Sequence, residues 1–147
     1  MAYRYKESGL DDFVLLDGYT IRQTPYGETV SIQNVEGLHK LIARVLILQQ
    51  PRVTGAELRF LRSELDKTQA ELAELLATSE QTVSLWERAR GEAMPETPAR
   101  LLRLLVADHL GLKPKPASLL RRLAKLAPGR RGTREVHYER GWKPVAA

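Results

Sequence analysis

The sequence predicts a mainly α protein with a small β module at its N-terminus. Three observations support this fold class. Apolar and polar residues alternate between turn signals over residues 13–32. Two Thr-x-x-Glu patterns then precede apolar residues at helical spacing, and a leucine-rich segment follows two prolines near the C-terminus. These patterns divide the chain into a β-plus-helix module (1–50), a helical domain (54–112), and a basic C-terminal helix with a flexible tail (113–147).

The N-terminal module is predicted to contain three short strands and one helix. Strands over residues 13–16, 19–23 and 28–32 are separated by Asp17-Gly18 and by the turn at residues 24–27. This order is typical of an antiparallel hairpin or meander. Such a small sheet needs a helix on its apolar face. The helix that begins after Asn34 and ends before Pro51 is expected to cover it.

A series of short helices is predicted from Thr54 onwards. Thr54-x-x-Glu57 and Thr68-x-x-Glu71 both fit the capping box. We expect helices over residues 55–65, 69–76, 80–89, 97–111 and 117–127, with a three-residue connection at 77–79. Thr97 is expected to cap the fourth of these, and Gly91 to give the third a left-handed exit.

The third of these helices has the composition of a DNA-reading helix. Val83 and Trp86 are spaced to face the core, so the opposite side points outward and suits a major groove. The expected base contacts are Glu80, Gln81, Thr82 and Leu85. A glutamine pairs with adenine, and methyl groups contact thymine. Glu80 either accepts from cytosine or stabilises the helix N-terminus.

Residues around this helix are expected to contact the DNA backbone. Free N–H groups and hydroxyls at helix N-termini meet phosphates, as do arginines beyond a helix end. The arginines could equally be ordinary solvated charges. The expected backbone contacts are Thr68, Gln69, Ser79, Ser84, Arg88 and Arg90.

The helical domain resembles the XRE (Cro/C1-type) family of phage-repressor-like helix-turn-helix proteins. The residues that carry the resemblance are Arg62, the run Gln69-Ala70-Glu71-Leu72-Ala73, Ser79, Val83 and the run from Trp86 to Gly91. It implies a five-helix phage-repressor-like fold, with the helix-turn-helix DNA-binding domain at residues 54–112, and a buried ion pair between Arg62 and Glu87. Loss of Glu87 is expected to cost about 3–5 kcal/mol.

The N-terminal third is similar to the zinc-finger/helix-turn-helix antitoxins. Matching residues include Tyr3-x-Tyr5, Gly9-Leu10-Asp11, Leu16-Asp17-Gly18, Thr24-Pro25-Tyr26-Gly27-Glu28 and Gly37-Leu38-His39. The resemblance implies the antitoxin of a type II pair, which neutralises a small toxin protein and autorepresses its operon. The zinc cysteines of that family are missing here. The alternative is a stand-alone XRE-family repressor with a structural or ligand-sensing N-terminal module.

Two further surfaces suggest partners. The helix over residues 97–111 is apolar on more than one face, which predicts core packing together with a homodimer on a palindromic operator. The helix over 117–127 is a second candidate interface. Residues 113–147 carry 10 Lys/Arg against 2 Asp/Glu. This basic segment is expected to lie along phosphates, to dock on a toxin through Tyr138 and Trp142, or simply to be solvated.

Composition argues against other classes of protein. The chain has 147 residues and no cysteine, and no apolar run is long enough for a membrane span or a signal peptide. We therefore expect a cytoplasmic, nucleoid-associated protein. His39, His109 and His137 lack metal-ligand spacing, and no phosphate loop or nucleophile motif occurs. The sequence thus predicts a regulator that is not an enzyme and uses no cofactor or metal.

Overall fold

The computed structural model describes residues 2–126 and 133–145. These residues form six helices, each in a segment where the sequence predicts one, and six strands. The helices are α1 (Val35–Leu48), α2 (Gly55–Glu64), α3 (Gln69–Leu75), α4 (Glu80–Arg88), α5 (Glu96–His109) and α6 (Pro116–Ala124). The strands are β1 (Tyr3–Arg4), β2 (Phe13–Leu15), β3 (Tyr19–Thr24), β4 (Gly27–Ile32), β5 (Arg134–Tyr138) and β6 (Trp142–Pro144).

The chain divides into two compact units, and the division differs from the predicted boundary at residue 50. The first unit contains the described residues up to Leu41 together with 133–145, and the second begins at Ile42 and includes α2 to α6. The boundary therefore falls inside α1. The C-terminal half of this helix is buried at Ile42, Ala43 and Leu46, so it belongs to the core of the second unit.

The first unit is built on a mixed sheet in the order β1-β2-β5-β6. Strand β2 pairs antiparallel with β1 and parallel with β5, with Phe13 opposite Arg134. Phe13, Leu15 and Val136 are at most 1% exposed. The prediction of a flexible tail is thus wrong over residues 134–144, because β2 supplies hydrogen bonds and apolar contacts to residues that are distant in the chain. The tail residues 127–132 and 146–147, including the predicted end of the last helix, lie outside the described residues.

The predicted meander is also corrected. Strands β3 and β4 form a separate two-stranded hairpin, with Tyr19 opposite Ile32, while β2 pairs elsewhere. Gly18 lies between the two sheets in sequence and has a φ of +77°. A Cβ at this position would lie 2.6 Å from the Trp142 ring. The Asp17-Gly18 pair therefore accommodates the C-terminal strands instead of turning β2 back onto β3.

Trp142 closes the sheet and is mostly buried. Its indole N–H donates to the carbonyl oxygens of Gln33 (2.8 Å) and Asn34 (3.2 Å), just before α1. The side chain is 8% exposed and packs edge-on against Tyr138. The ring of Trp142 and its donor are thus both occupied within the first unit, and docking of this segment on a toxin stays a prediction.

In the second unit, local sequence determines where α2 and α3 begin. Thr54 and Thr68 form the two predicted capping boxes, with Glu57 and Glu71 as reciprocal partners. Helix α5 begins at Glu96 after Pro95, so Thr97 lies within its first turn and the predicted Thr97 cap is wrong. Gly91 does not have a positive φ, so the left-handed residue that was expected at the end of α4 is also wrong.

The C-terminus of α1 is held by α5. The Arg103 guanidinium is fully buried and donates to the carbonyl oxygens of Leu46 (3.1 Å), Ile47 (3.0 Å) and Gln50 (2.7 Å). Arg122 on α6 adds a bond to the carbonyl of Leu48. These cations satisfy carbonyls that a helix end leaves without intrahelical donors.

Candidate nucleic-acid interface

Helices α3 and α4 are joined by a tight connection. Helix α3 ends at the C-cap Leu76, and Ala77 adopts a left-handed φ of 57° that reverses the chain. The Thr78 N–H then donates to the carbonyl of Ala73 at 2.9 Å. Ser79 caps α4 by accepting from the Thr82 N–H at 3.1 Å. The connection therefore sets the direction of α4 relative to α3 with local hydrogen bonds.

Helix α4 has one buried and one exposed face. Val83 is fully buried and Glu87 is 7% exposed, whereas Leu85 is 57% exposed. Glu80 and Gln81 are exposed, and Thr82 and Ser84 are half-buried. Trp86, expected in the core, is only half-buried. The four residues expected to contact bases thus lie on the N-terminal turns of the helix.

The ion pair between Arg62 and Glu87 is present in the structure. Nε of Arg62 lies 2.6 Å from one Glu87 carboxylate oxygen, and Nη2 lies 2.9 Å from the other. This bidentate geometry is the strong form of a carboxylate–guanidinium pair. The hydrogen bonds that Arg62 donates to Glu87 raise the pKa of Arg62, although burial acts in the opposite direction. The pair joins α2 to the C-terminal turn of α4.

Gln69 is placed differently from the expectation. Its side-chain amide donates to a Glu87 oxygen at 3.1 Å, so it belongs to the ion-pair network and is not directed at solvent. The reason is that Gln69 opens α3 beside both partners. Its backbone does lie at the N-terminus of α3, as predicted from the sequence. The cap residues Thr68 and Ser79 also lie where the sequence predicted them, and both are exposed.

A close backbone approach holds the end of α4 against the start of α2. A Cβ on Gly55 would lie 2.1 Å from the Trp86 carbonyl oxygen and 2.5 Å from that of Ala89. The Gly55 N–H donates to the carbonyl of Glu92, and the N–H of Met94 donates to that of Val53. The exposed face of α4 is therefore presented by a rigid framework.

Arginines gather in a recess beside α4. The recess has a volume of about 420 Å³, and its lining residues are Arg59, Arg62, Gln69, Ser84, Glu87, Arg88 and Arg90. Arg59, Arg88 and Arg90 are exposed. Sequence reasoning missed Arg59. Its spacing of three residues from Arg62 on a helix would have placed it on the same face.

Comparisons with protein-family models, with curated proteins and with solved structures find no match to this chain. Within residues 2–126 and 133–145, no helix is long and apolar enough to cross a membrane. The same described residues contain no group of three acidic or histidine side chains that could hold a metal ion.

Proposed function

We propose that this protein is a sequence-specific, double-stranded DNA-binding transcriptional regulator. In this proposal residues 54–112 form a phage-repressor-like helix-turn-helix domain, and α4 is its recognition helix. The observation that carries the proposal is the exposed N-terminal face of α4, where Gln81 and Leu85 point away from a fixed framework. The exposed arginines at positions 88 and 90 flank this face and suit the phosphates beside a major groove.

Each side chain on this face has a role in base recognition. The Gln81 amide suits adenine, and Leu85 offers methyl groups to thymine. The Thr82 hydroxyl lies 2.8 Å from that of Ser79, so its methyl group is the part that remains for a base. Glu80 lies in the first turn of α4, where a carboxylate also stabilises the helix dipole.

A homodimer on a palindromic operator completes the proposal. One recognition helix reads few base pairs, and two-fold symmetry doubles the contact. Leu101 on α5 is 42% exposed, and Leu104 and Leu105 are half-buried. This surface supports a symmetric contact through α5. Sedimentation of wild type and Leu101→Glu tests it: a dimer that becomes a monomer agrees, and an unchanged mass contradicts it.

Binding to the protein's own promoter, measured over a salt series, tests the main proposal. The variant Gln81→Ala/Leu85→Ala is expected to lose preference for this DNA over random sequence while keeping weak, salt-dependent binding. Glu36→Ala/Lys40→Ala, which changes two exposed residues on α1, is the matched control. Equal binding of both variants would contradict the assignment of α4.

The regulator is further proposed to be an antitoxin that neutralises a small toxin and autorepresses its operon, as a cytoplasmic, nucleoid-associated protein. This part depends on the N-terminal resemblance. One observation favours the alternative of a stand-alone repressor with a structural N-terminal module. Strands β5 and β6 complete the sheet of β1 and β2, so the first unit holds the C-terminal strands in place. Co-expression with the product of a neighbouring gene separates the two. Relief of growth arrest supports an antitoxin, and its absence supports the repressor.

A further inference from the structure

The arginine recess carries an excess of positive charge. Four guanidinium groups and one carboxylate, that of Glu87, line it. The charged groups come from α2, α4 and the segment after α4, so the cluster exists only in the folded chain. Like charges that line one recess repel one another, and a bound anion would offset this repulsion.

The single carboxylate is already satisfied. Both Glu87 oxygens accept from Arg62, and one accepts also from Gln69. The Glu87 side chain is 5% exposed, compared with 17% for that of Arg62. Its charge is therefore matched by Arg62. Arg59 and Arg88 are exposed residues that line the same recess, and neither is a partner of Glu87 in the ion-pair network.

We propose that this recess is an anion site that takes one phosphate group, with Arg59 as a binding residue on α2. A guanidinium group presents paired donors that match two phosphate oxygens, and the exposed Arg59 and Arg88 both line the recess. A volume of about 420 Å³ admits a phosphate together with water.

The phosphate has two possible sources. In the first, which rests on the proposed function, it is a phosphodiester of the operator backbone beside α4. In the second, it is a free phosphorylated small molecule, and its binding would compete with DNA. The chemistry of the site is the same for both, so the experiment needs one arm for each source.

The first arm measures promoter binding against salt concentration for wild type, Arg59→Gln and Arg44→Gln. Arg44 is exposed on α1 and lies outside both the recess and the basic C-terminal segment, so its variant controls for net charge. Arg59→Gln is expected to lower the slope of log K against log salt by about 0.9 relative to this control. Base preference is expected to stay unchanged. Arg59→Lys keeps the charge and is expected to retain most of the slope.

The second arm adds pyrophosphate to the full chain without DNA and follows the arginine Nε–H signals by NMR. Saturable shifts of Arg59 and Arg88 signals in wild type, lost in Arg59→Gln but kept in Arg44→Gln, support a free-anion source. Shifts that appear only with DNA support the backbone source. Unchanged thermal melting shows that each variant is folded.

The two proposals fail in different ways. If DNA binds through Gln81 and Leu85 but neither arm responds to Arg59, the anion site is overturned and the DNA-binding function stands. If the protein prefers no DNA but pyrophosphate binds in an Arg59-dependent way, the DNA-binding function falls and the anion site stands.

Discussion

Replacing Glu87 by alanine removes the acceptor of three hydrogen bonds in the second unit. Two come from the Arg62 guanidinium, at 2.6 and 2.9 Å, and one comes from the Gln69 amide at 3.1 Å. Arg62 then keeps a single described protein partner, the Lys67 carbonyl at 3.0 Å. The cost is that of a guanidinium left in a mostly buried position without its counter-charge.

The structure sets the size of this cost. Breaking a fully buried ion pair by removing one partner costs about 3–5 kcal/mol, which was the expectation from the sequence. The Arg62 side chain is 17% exposed, however, so water recovers part of its solvation. We therefore expect Glu87→Ala to lower the free energy of unfolding by about 2–3 kcal/mol. Arg62→Met/Glu87→Met leaves no buried charge and is expected to lose less than Glu87→Ala.

Urea denaturation of the full chain, followed by circular dichroism, measures these values. Glu92→Ala is the matched control, because Glu92 is an exposed carboxylate just beyond α4, and its loss is expected to change stability by less than about 0.5 kcal/mol. The midpoint should fall for Glu87→Ala with an unchanged slope. Two results would refute this reasoning. In the first, Glu87→Ala is as stable as Glu92→Ala. In the second, Glu87→Ala loses no more unfolding free energy than the double methionine variant does.

Four more substitutions test other parts of the fold. Gly55→Ala should lower the free energy of unfolding in urea by about 1–3 kcal/mol, because the added Cβ meets two backbone carbonyls. Gly91 has open space around it in the described structure, so Gly91→Ala should leave stability unchanged, and equal urea midpoints for the two variants would contradict this. Arg103→Met should cost about 3 kcal/mol by leaving two α1 carbonyls and that of Gln50 without their donor, and a neutral result would refute that role. Trp142→Ala should cost about 3–5 kcal/mol and speed proteolysis of the C-terminal strands; an unchanged cleavage rate would argue against the sheet. The backbone and side-chain hydrogen bonds of Thr68 lower the pKa of Glu71. The stabilisation that ionised Glu71 gives is therefore present above the ordinary carboxyl pKa and is lost as the pH falls through the lowered pKa. Glu71→Gln should flatten the acid side of a curve of stability against pH, and a curve identical to that of the wild type would contradict this.

Prediction from the sequence succeeded where the determining contacts are local. The two capping boxes at Thr54 and Thr68 involve residues three positions apart, and both are present. The hairpin of β3 and β4 was expected from its turn and its alternation, and its strands pair from Tyr19 to Ile32. The Arg62–Glu87 pair spans 25 residues and came from the family resemblance, since spacing by itself does not indicate it.

Prediction failed where partners are far apart in the chain. Strand β5 pairs with β2 across about 120 residues, and a five-residue strand with three polar positions gives little signal by itself. The predicted meander failed for the same reason, because β2 pairs with β1 and with the distant β5 instead of β3. Arg59 was missed for a related reason. One exposed arginine on a helix is ordinary, and only the fold brings Arg88 and Arg90 beside it.

The sequence by itself determined where the helices lie, which residues cap α2 and α3, and which side of α4 is polar. These follow from hydrogen bonds and side-chain spacing within a few residues. The tertiary structure decided the pairing of β2 with β5, the capping of α1 by Arg103 and the gathering of arginines around Glu87. The physical reason is that burial and charge at these places are properties of segments that meet only when the chain has folded.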